Sequence, residues 1–420
     1  MKIDHLAILS VHTSPLARLG GEKTGGMNVY VRELARELGR RGIHVDVFTR
    51  HSSPDDLHID TSLGSNVRVI TIQAGPHEVL SPDETYPYVQ EFAAGVIAFS
   101  TLHNLRYDLI YSHYWLSGCV AITLKEIWGI PFVQMFHTLG HMKNRVALKP
   151  NVPTLPDLRV SQESRIIRLA DRIVAATPAE HAQLLWLYRA DRRKIVIIPP
   201  GVNGEQFFPQ PMEESRTRLG LETDQTIFLF VGRIEPLKGV DTILRAFASI
   251  KRESPGLLAK SRFLVIGGDP GQPNAELARL IQRTRELHLE SVVDFLGAKD
   301  QNHLRDYYAA SNAVIMPSEY ESFGMVALEA MACGTPVIAS HVGGLAFLIQ
   351  DGDNGYLIPV GEPNALSDKL IQILINPESV SAMRMKAAVA ARQYTWSAIA
   401  EQLEAIFERI GLSSARRHPP

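Results

Sequence analysis

The stretch TIFLFVGRIEPLKGVD, residues 226–241, reads as a strand, a short loop and the first turn of a helix. Its first six residues carry no polar alternation. Such a run marks a strand covered on both faces, as in a parallel sheet flanked by helices. The loop then carries Arg233 at the strand's carboxyl end and Lys238 at the helix start. Downstream, RFLVIGG, VVDFLG, AVIMPS, PVIAS and GYLIPV repeat the strand pattern with helical segments between them. Upstream lies a second series: HLAILSVH (5–12), HVDVFTR, VRVITIQAG, YDLIYSHY, PFVQMFHT, DRIVAAT and KIVIIPPG. MNVYVRELARELGRRG (27–42) places Val31, Leu34, Ala35 and Leu38 at helical spacing, with Gly42 as a stop. The two series predict an α/β protein of two Rossmann-like, doubly wound domains, residues 1–205 and 206–392. Residues 201–225, rich in turn formers and charge, are the linker candidate. If the domains face one another, the carboxyl ends of their strands line a central cleft.

The 420 residues contain 45% hydrophobic and 21% charged residues, an ordinary globular balance. Lys and Arg total 43 against 45 Asp and Glu, a formal net charge of -2. That argues against a nucleic-acid surface or an anionic membrane as partner. No apolar run approaches about 18 residues, so no membrane span is expected, and the start reads as a first strand rather than a signal peptide. Cys119 and Cys333, the two cysteines, both lie in apolar settings and read as small core residues. A reducing cytoplasm fits them.

ESFGMVALEA, residues 321–330, sets Glu321 and Glu329 eight positions apart around an otherwise apolar run. AVIMPS is a strand, so Glu321 falls on the loop at its carboxyl end. A helix beginning near Ser322 would free the N–H groups of Phe323, Gly324, Met325 and Val326 for phosphate or sugar oxygens. One carboxylate suits a ribose diol, since it accepts two hydroxyl protons. The plainer alternative makes Glu321 a helix cap and Glu329 one half of an internal ion pair. Arg233 and Lys238 suit a diphosphate, the former by a forked contact and the latter as a point charge. They could equally be solvated surface charges. In GGEKTGGMNVY, Gly25 and Gly26 allow close backbone approach at a helix start, although the run is neither GxGxxG nor a Walker A loop. His137 ends the strand PFVQMFH. His141 lies four residues on, without an HExxH pattern or a third clustered ligand, so no metal is expected.

Together, TGGMNVYV (24–31), FHTLGHMKN (136–144), GRIEPLKG (232–239) and ESFGMVALEA resemble the retaining glycosyltransferases of the GT-B fold, glycosyltransferase family 4. EAMACGTPVIAS and GGLAFLIQDGDNGYLIP extend the likeness over almost the whole chain. The resemblance implies that Arg233 and Lys238 bind the nucleotide diphosphate and that Glu329 holds the ribose. Glu321 would lie near the donor sugar, beside the amides of Phe323 and Gly324, and His137 would face that sugar from the other domain. It implies an acceptor-binding first domain, a nucleotide-sugar-binding second domain, and a final helix within 393–420 that crosses back to the first domain before a frayed tail. No cofactor beyond the nucleotide-sugar substrate is implied.

Two subfamilies fit the acceptor side. SVHTSPLARLG…TGGMNVYVRELA and SHYWLSG look like inositol-phosphate N-acetylglucosaminyltransferases. AGPHEVLSPDETYPYVQEF and HTLGHMK lean toward sucrose-phosphate synthases, the preferred expectation: glucose from UDP- or ADP-glucose to fructose 6-phosphate. Lys143 and Arg159 match basic acceptor-side positions in both, and the resemblance adds Tyr114 and Thr138 to the acceptor-binding set; the lysine that each family usually has shortly before the proline run is absent here, where SPDET stands. Two readings from other classes remain. A nicotinamide dehydrogenase requires a GxGxxG that is missing. An inactive sugar-nucleotide-binding protein would show damage to the catalytic set, yet all its residues are present.

Overall fold

The computed structural model describes residues 3–17, 25–142, 158–268 and 274–415. The chain divides into two compact units. One holds the first strand, Gly26–Gly201 and the chain from Trp396 onward, and the other holds Val202–Thr395.

The first unit is built on eight strands: β1 (His5–Leu9), β2 (His44–Arg50), β3 (Ile59–Asp60), β4 (Val67–Ile72), β5 (Leu109–His113), β6 (Phe132–Met135), β7 (Arg172–Ala175) and β8 (Ile195–Ile197). Their order is β3-β4-β2-β1-β5-β6-β7-β8. All neighbours are parallel except the two-residue edge strand β3, which no apolar run announces. The chain runs outward from β1 through β2 to β4, then returns to β5 on the other side of β1. That reversal puts a topological switch point between the carboxyl ends of β1 and β5. The helix Gly26–Arg40 buries Val31, Leu34, Ala35 and Leu38, the face its spacing predicts. Gly42 follows it at φ 92°. The last helix, Trp396–Ala415, packs on this helix within the same unit. The ring centroids of Trp396 and Tyr30 lie 5.4 Å apart, and Arg41 Nε pairs with Glu404 Oε1 at 2.5 Å.

The second unit carries β9 (Thr226–Val231), β10 (Ser261–Ile266), β11 (Val293–Gly297), β12 (Ala313–Met316), β13 (Val337–Ser340) and β14 (Gly355–Ile358). Their order is β11-β10-β9-β12-β13-β14, parallel throughout. β9 and β12 are wholly buried, as their unbroken apolar sequence requires. The switch point here lies between β9 and β12, at the loops that carry Arg233, Lys238 and Glu321.

Those two loops are held by backbone contact. Glu319 N donates to Leu237 O at 2.9 Å, and Gly344 N donates to Glu321 O at 3.0 Å. Gly239 sits at φ 70°, and a Cβ there would stand 2.3 Å from Pro317 O. Gly361 shares the left-handed geometry at φ 69° but faces open space. An alanine at Gly361 should therefore cost only the conformational term, about 1–2 kcal/mol. Gly239→Ala should lose clearly more, because the Pro317 carbonyl must also move. Urea unfolding of the two variants checks this, and equal losses would mean that the close approach contributes nothing.

Candidate functional site

In the second unit the helix expected at Ser322 begins three residues later. It runs Met325–Ala332, with Gly324 as its N-cap at φ 100°. That φ strains any residue with a side chain, and a Cβ there would also stand 2.8 Å from Leu345 Cδ2, so the turn favours glycine. The amides without an intrahelical acceptor are therefore centred on Met325, Val326 and Ala327, since Leu328 N already bonds Gly324 O at 3.0 Å. Phe323 is buried just before the turn.

Glu321 and Glu329 have different surroundings. Glu321 Oε2 accepts from Lys238 Nζ at 2.5 Å, a pair that joins the two switch-point loops and is largely shielded from solvent. Arg233 Nη1 pairs with Glu235 Oε1 at 2.7 Å and stays more exposed. Glu329 is 5% exposed and accepts from Gln301 Nε2 and Tyr308 Oη, both at 2.8 Å. Burial and the adjacent carboxylate raise the Tyr308 phenol well above its usual pKa, which keeps it a donor. Glu321 is paired with a cation across the loops and does not cap the helix, while Gln301 and Tyr308 are two neutral donors to Glu329. Ser318 Oγ, buried at the end of β12, has no partner among the described residues.

In the first unit, two of the four expected acceptor-side residues, Tyr114 and Thr138, converge on the guanidinium of a third, Arg159. Arg159, on the helix Leu158–Leu169, donates from Nη1 to Tyr114 Oη at 3.0 Å, and from Nη2 to Thr138 O at 2.6 Å and Thr138 Oγ1 at 3.0 Å. The guanidinium carbon lies 4.8 Å from the Tyr114 ring centroid. Lys143, the fourth, lies outside the described residues. Nε of Arg159 bonds Glu163 Oε1 at 2.8 Å, and the Glu163 side chain is fully buried. Glu163 also accepts from Gly140 N and from the Tyr188 hydroxyl. Gly26 opens the helix Gly26–Arg40, with Gly25 just before it.

His137 follows β6 and is joined by two histidines that sequence reasoning assigned no role, His12 after β1 and His113 at the end of β5. His113 Nδ1 and His137 Nε2 are 3.0 Å apart. The His12 ring stands 4.4 Å from that of Tyr114. Tyr114 and His137 both adopt positive φ, 73° and 61°, a strained conformation for bulky side chains that clusters at functional sites. Burial lowers all three imidazoles: His12, also beside Arg159, and His137, also beside His12, each to about 3, and His113, also beside His137, well below its ordinary value. Each carbonyl-end position was legible from the strand pattern, but which rings meet was not. Among the described residues, no three His, Cys, Asp or Glu side chains are grouped to hold a metal ion.

These neutral histidines set a pH dependence. Between their folded values and the ordinary value of about 6.5, the unfolded chain binds more protons, so stability falls as pH drops below about 6.5. Glu180 acts the other way: burial raises its carboxyl to about 7, so its protonated form favours the fold between about 4.5 and 7. Three groups against one predict a net loss from pH 7 to pH 5, about 1.4 kcal/mol per pH unit for each net proton. The urea midpoint should decline over that interval, and less steeply in His12→Phe. A midpoint that rises toward pH 5 would contradict neutral burial of these rings.

Both units match known families. Residues 25–201 match the "Glycosyl transferase 4-like domain" and residues 211–392 match "Glycosyl transferases group 1". The chain is 40% identical over 417 residues to the D-inositol 3-phosphate glycosyltransferase of Kineococcus radiotolerans, covering 97% of this chain and 95% of that protein. Among solved structures it overlays the sucrose-phosphate synthase of Thermosynechococcus elongatus with a TM-score of 0.89 and 33% identity, covering 98% of this chain and 100% of that one. It also shares its fold with Anabaena HepE, solved in complex with UDP-glucose, at a TM-score of 0.71 and 20% identity over 96% of this chain and 99% of that one. With a 4-like first domain and a group 1 second domain, this chain belongs to the GT-B glycosyltransferases.

Proposed function

We propose that this protein transfers a hexosyl group from a nucleotide-hexose to a phosphorylated polyol or sugar, with retention at the anomeric carbon. The observation that carries the acceptor side is the convergence of Tyr114 and Thr138 on one buried cation, Arg159. A guanidinium already fixed by a carboxylate, two hydroxyls and a carbonyl is a preorganised recognition group for an oxyanion. Lys143 would add a second cation.

On the donor side, Arg233 and Lys238 would bind the diphosphate. The amides at Phe323, Gly324, Met325 and Val326 would face its oxygens or those of the sugar, with Gly25 and Gly26 approaching by their backbone. Glu329, already oriented by Tyr308 and Gln301, would take the ribose hydroxyls with its remaining lone pairs. Glu321 would orient the donor sugar, and His137 would meet that sugar. Negative charge grows on the diphosphate as the sugar–oxygen bond breaks, so fixed cations and amide dipoles aimed there lower the barrier. The charge is assigned to these groups rather than to a metal or cofactor. Double displacement would require a carboxylate on the far face of the sugar. Glu321 carries an ion pair to Lys238, a positioning arrangement, and the departing phosphate is the natural proton acceptor. The buried free thiols Cys119 and Cys333 fit a cytoplasmic setting.

Inositol phosphate is the leading acceptor, because the relatives of greater identity bear that name. This reverses the order expected from the sequence. Fructose 6-phosphate is the second reading, favoured by the whole-chain overlay with a sucrose-phosphate synthase. The test incubates the protein with UDP-, ADP- and GDP-glucose and UDP-N-acetylglucosamine against inositol phosphate, inositol, fructose 6-phosphate and fructose, with products identified by mass. The phosphorylated partner of the true pair should lead by at least about tenfold in kcat/KM, about 1.4 kcal/mol. Arg159→Lys keeps a charge beside Glu163 but removes the fork, and it should erase most of that preference while donor hydrolysis persists. Equal rates with the unphosphorylated members would remove the phosphate site.

A further inference from the structure

We propose that His113 is a positioning residue: its hydrogen bond to His137 fixes His137 as the Nδ1–H tautomer, so the site offers a hydrogen-bond donor and not a base. The inference deepens the proposed function and rests on its assignment of His137 to the donor sugar. Two neutral imidazoles 3.0 Å apart must split the roles, one ring donating and the other accepting. Once one tautomer is chosen, the other follows.

The choice is made on the far side of His113. Its Nε2 is buried and has no partner among the described residues. The hydroxyls of the two tyrosines packed against His113 are engaged with other groups. Those of Tyr30 and Tyr111 lie 2.9 Å apart, and the Tyr111 hydroxyl also reaches Met135 Sδ at 3.6 Å. The rings of Tyr111 and Tyr30 cover His113 at centroid distances of 4.3 and 5.4 Å. Stranding an N–H donor in such a place is costlier than stranding a lone pair. The proton of His113 therefore sits on Nδ1 and is donated to His137 Nε2. The proton of His137 must then sit on Nδ1, the ring nitrogen not used in the pair.

His137 is also pinned from its other sides. Its backbone holds φ 61°, and the Tyr30 ring meets it edge-on at 5.2 Å. An Nδ1–H can donate to a sugar or phosphate oxygen but cannot take the acceptor's proton. The transfer then balances without an enzyme base. The anomeric carbon–oxygen bond breaks with its electron pair going to the diphosphate, the acceptor oxygen bonds that carbon, and the acceptor proton passes to the departing phosphate oxygen.

The test is a long-range proton–nitrogen correlation spectrum of histidine-labelled protein at pH 8, for the wild type, His113→Phe and His113→Asn. Wild-type His137 should show a protonated Nδ1 and a bare Nε2. His113→Phe should release it to a mixture of tautomers and lower kcat about tenfold to hundredfold at unchanged donor KM. His113→Asn, whose amide N–H can replace Nδ1–H, should restore the single tautomer and most of kcat. A wild-type His137 protonated on Nε2, or a tautomer unmoved in His113→Phe, overturns the proposal. If the spectra behave as expected and kcat does not fall, His113 positions His137 but the sugar contact assigned to His137 is wrong. Should His113→Phe not fold, the wild-type and His113→Asn spectra still decide.

Discussion

The ion pair between Lys238 and Glu321 ties together the two switch-point loops of the second unit. It joins the loop after β9 to the loop after β12, the two strands flanking the switch point of the second sheet. Everything near it is arranged to permit the approach. Gly239 passes close to Pro317, Gly344 hands its amide to the Glu321 carbonyl, and Gly324 turns the chain into the helix that carries Glu329. A lysine paired this way is held in position before any anion arrives. In the proposed transfer, an incoming diphosphate would share a charge already fixed in space, which would spare reorganisation as the charge on the leaving group grows. The same pairing keeps Glu321 from standing as an isolated carboxylate, a poor starting point for a nucleophile.

The first unit solves a different electrostatic problem. Arg159 is buried, and a buried cation is tolerable only when paired and hydrogen-bonded. Glu163 provides the charge, Tyr114 and Thr138 the remaining contacts, and Tyr188 and Gly140 fix Glu163 in turn. Beside this set stand histidines kept neutral by burial. Arg159 and Glu163 thus offset one another's charge, and each is held by several hydrogen bonds.

The sheets were legible because buried parallel strands write themselves as unbroken apolar runs. Thirteen such runs predicted β1, β2 and β4–β14, while β3, two residues long and antiparallel at an edge, left no pattern. Arg159 and Glu163 lie four apart on a helix and could have been paired from spacing alone. Gln301 and Tyr308 could not, because they reach Glu329 from another helix and only tertiary packing joins them. The start of the helix at Met325 was misplaced because Gly324 takes a left-handed turn that composition does not distinguish from a first helical residue. His12 and His113 were visible as strand-end residues, but their encounter with Tyr114 and His137 depends on the order β2-β1-β5-β6.

The central claim is that fixed charges and amides carry the leaving group while no side chain serves as a base to bring the acceptor in from the far face of the sugar. The anomeric configuration of the product tests it most directly. An α-linked nucleotide-hexose should yield an α-glycoside of the phosphorylated acceptor, read from the anomeric proton coupling in the NMR spectrum of the purified product. A β-glycoside would mean a single attack from the opposite face, with a base to activate the acceptor, and would contradict the account.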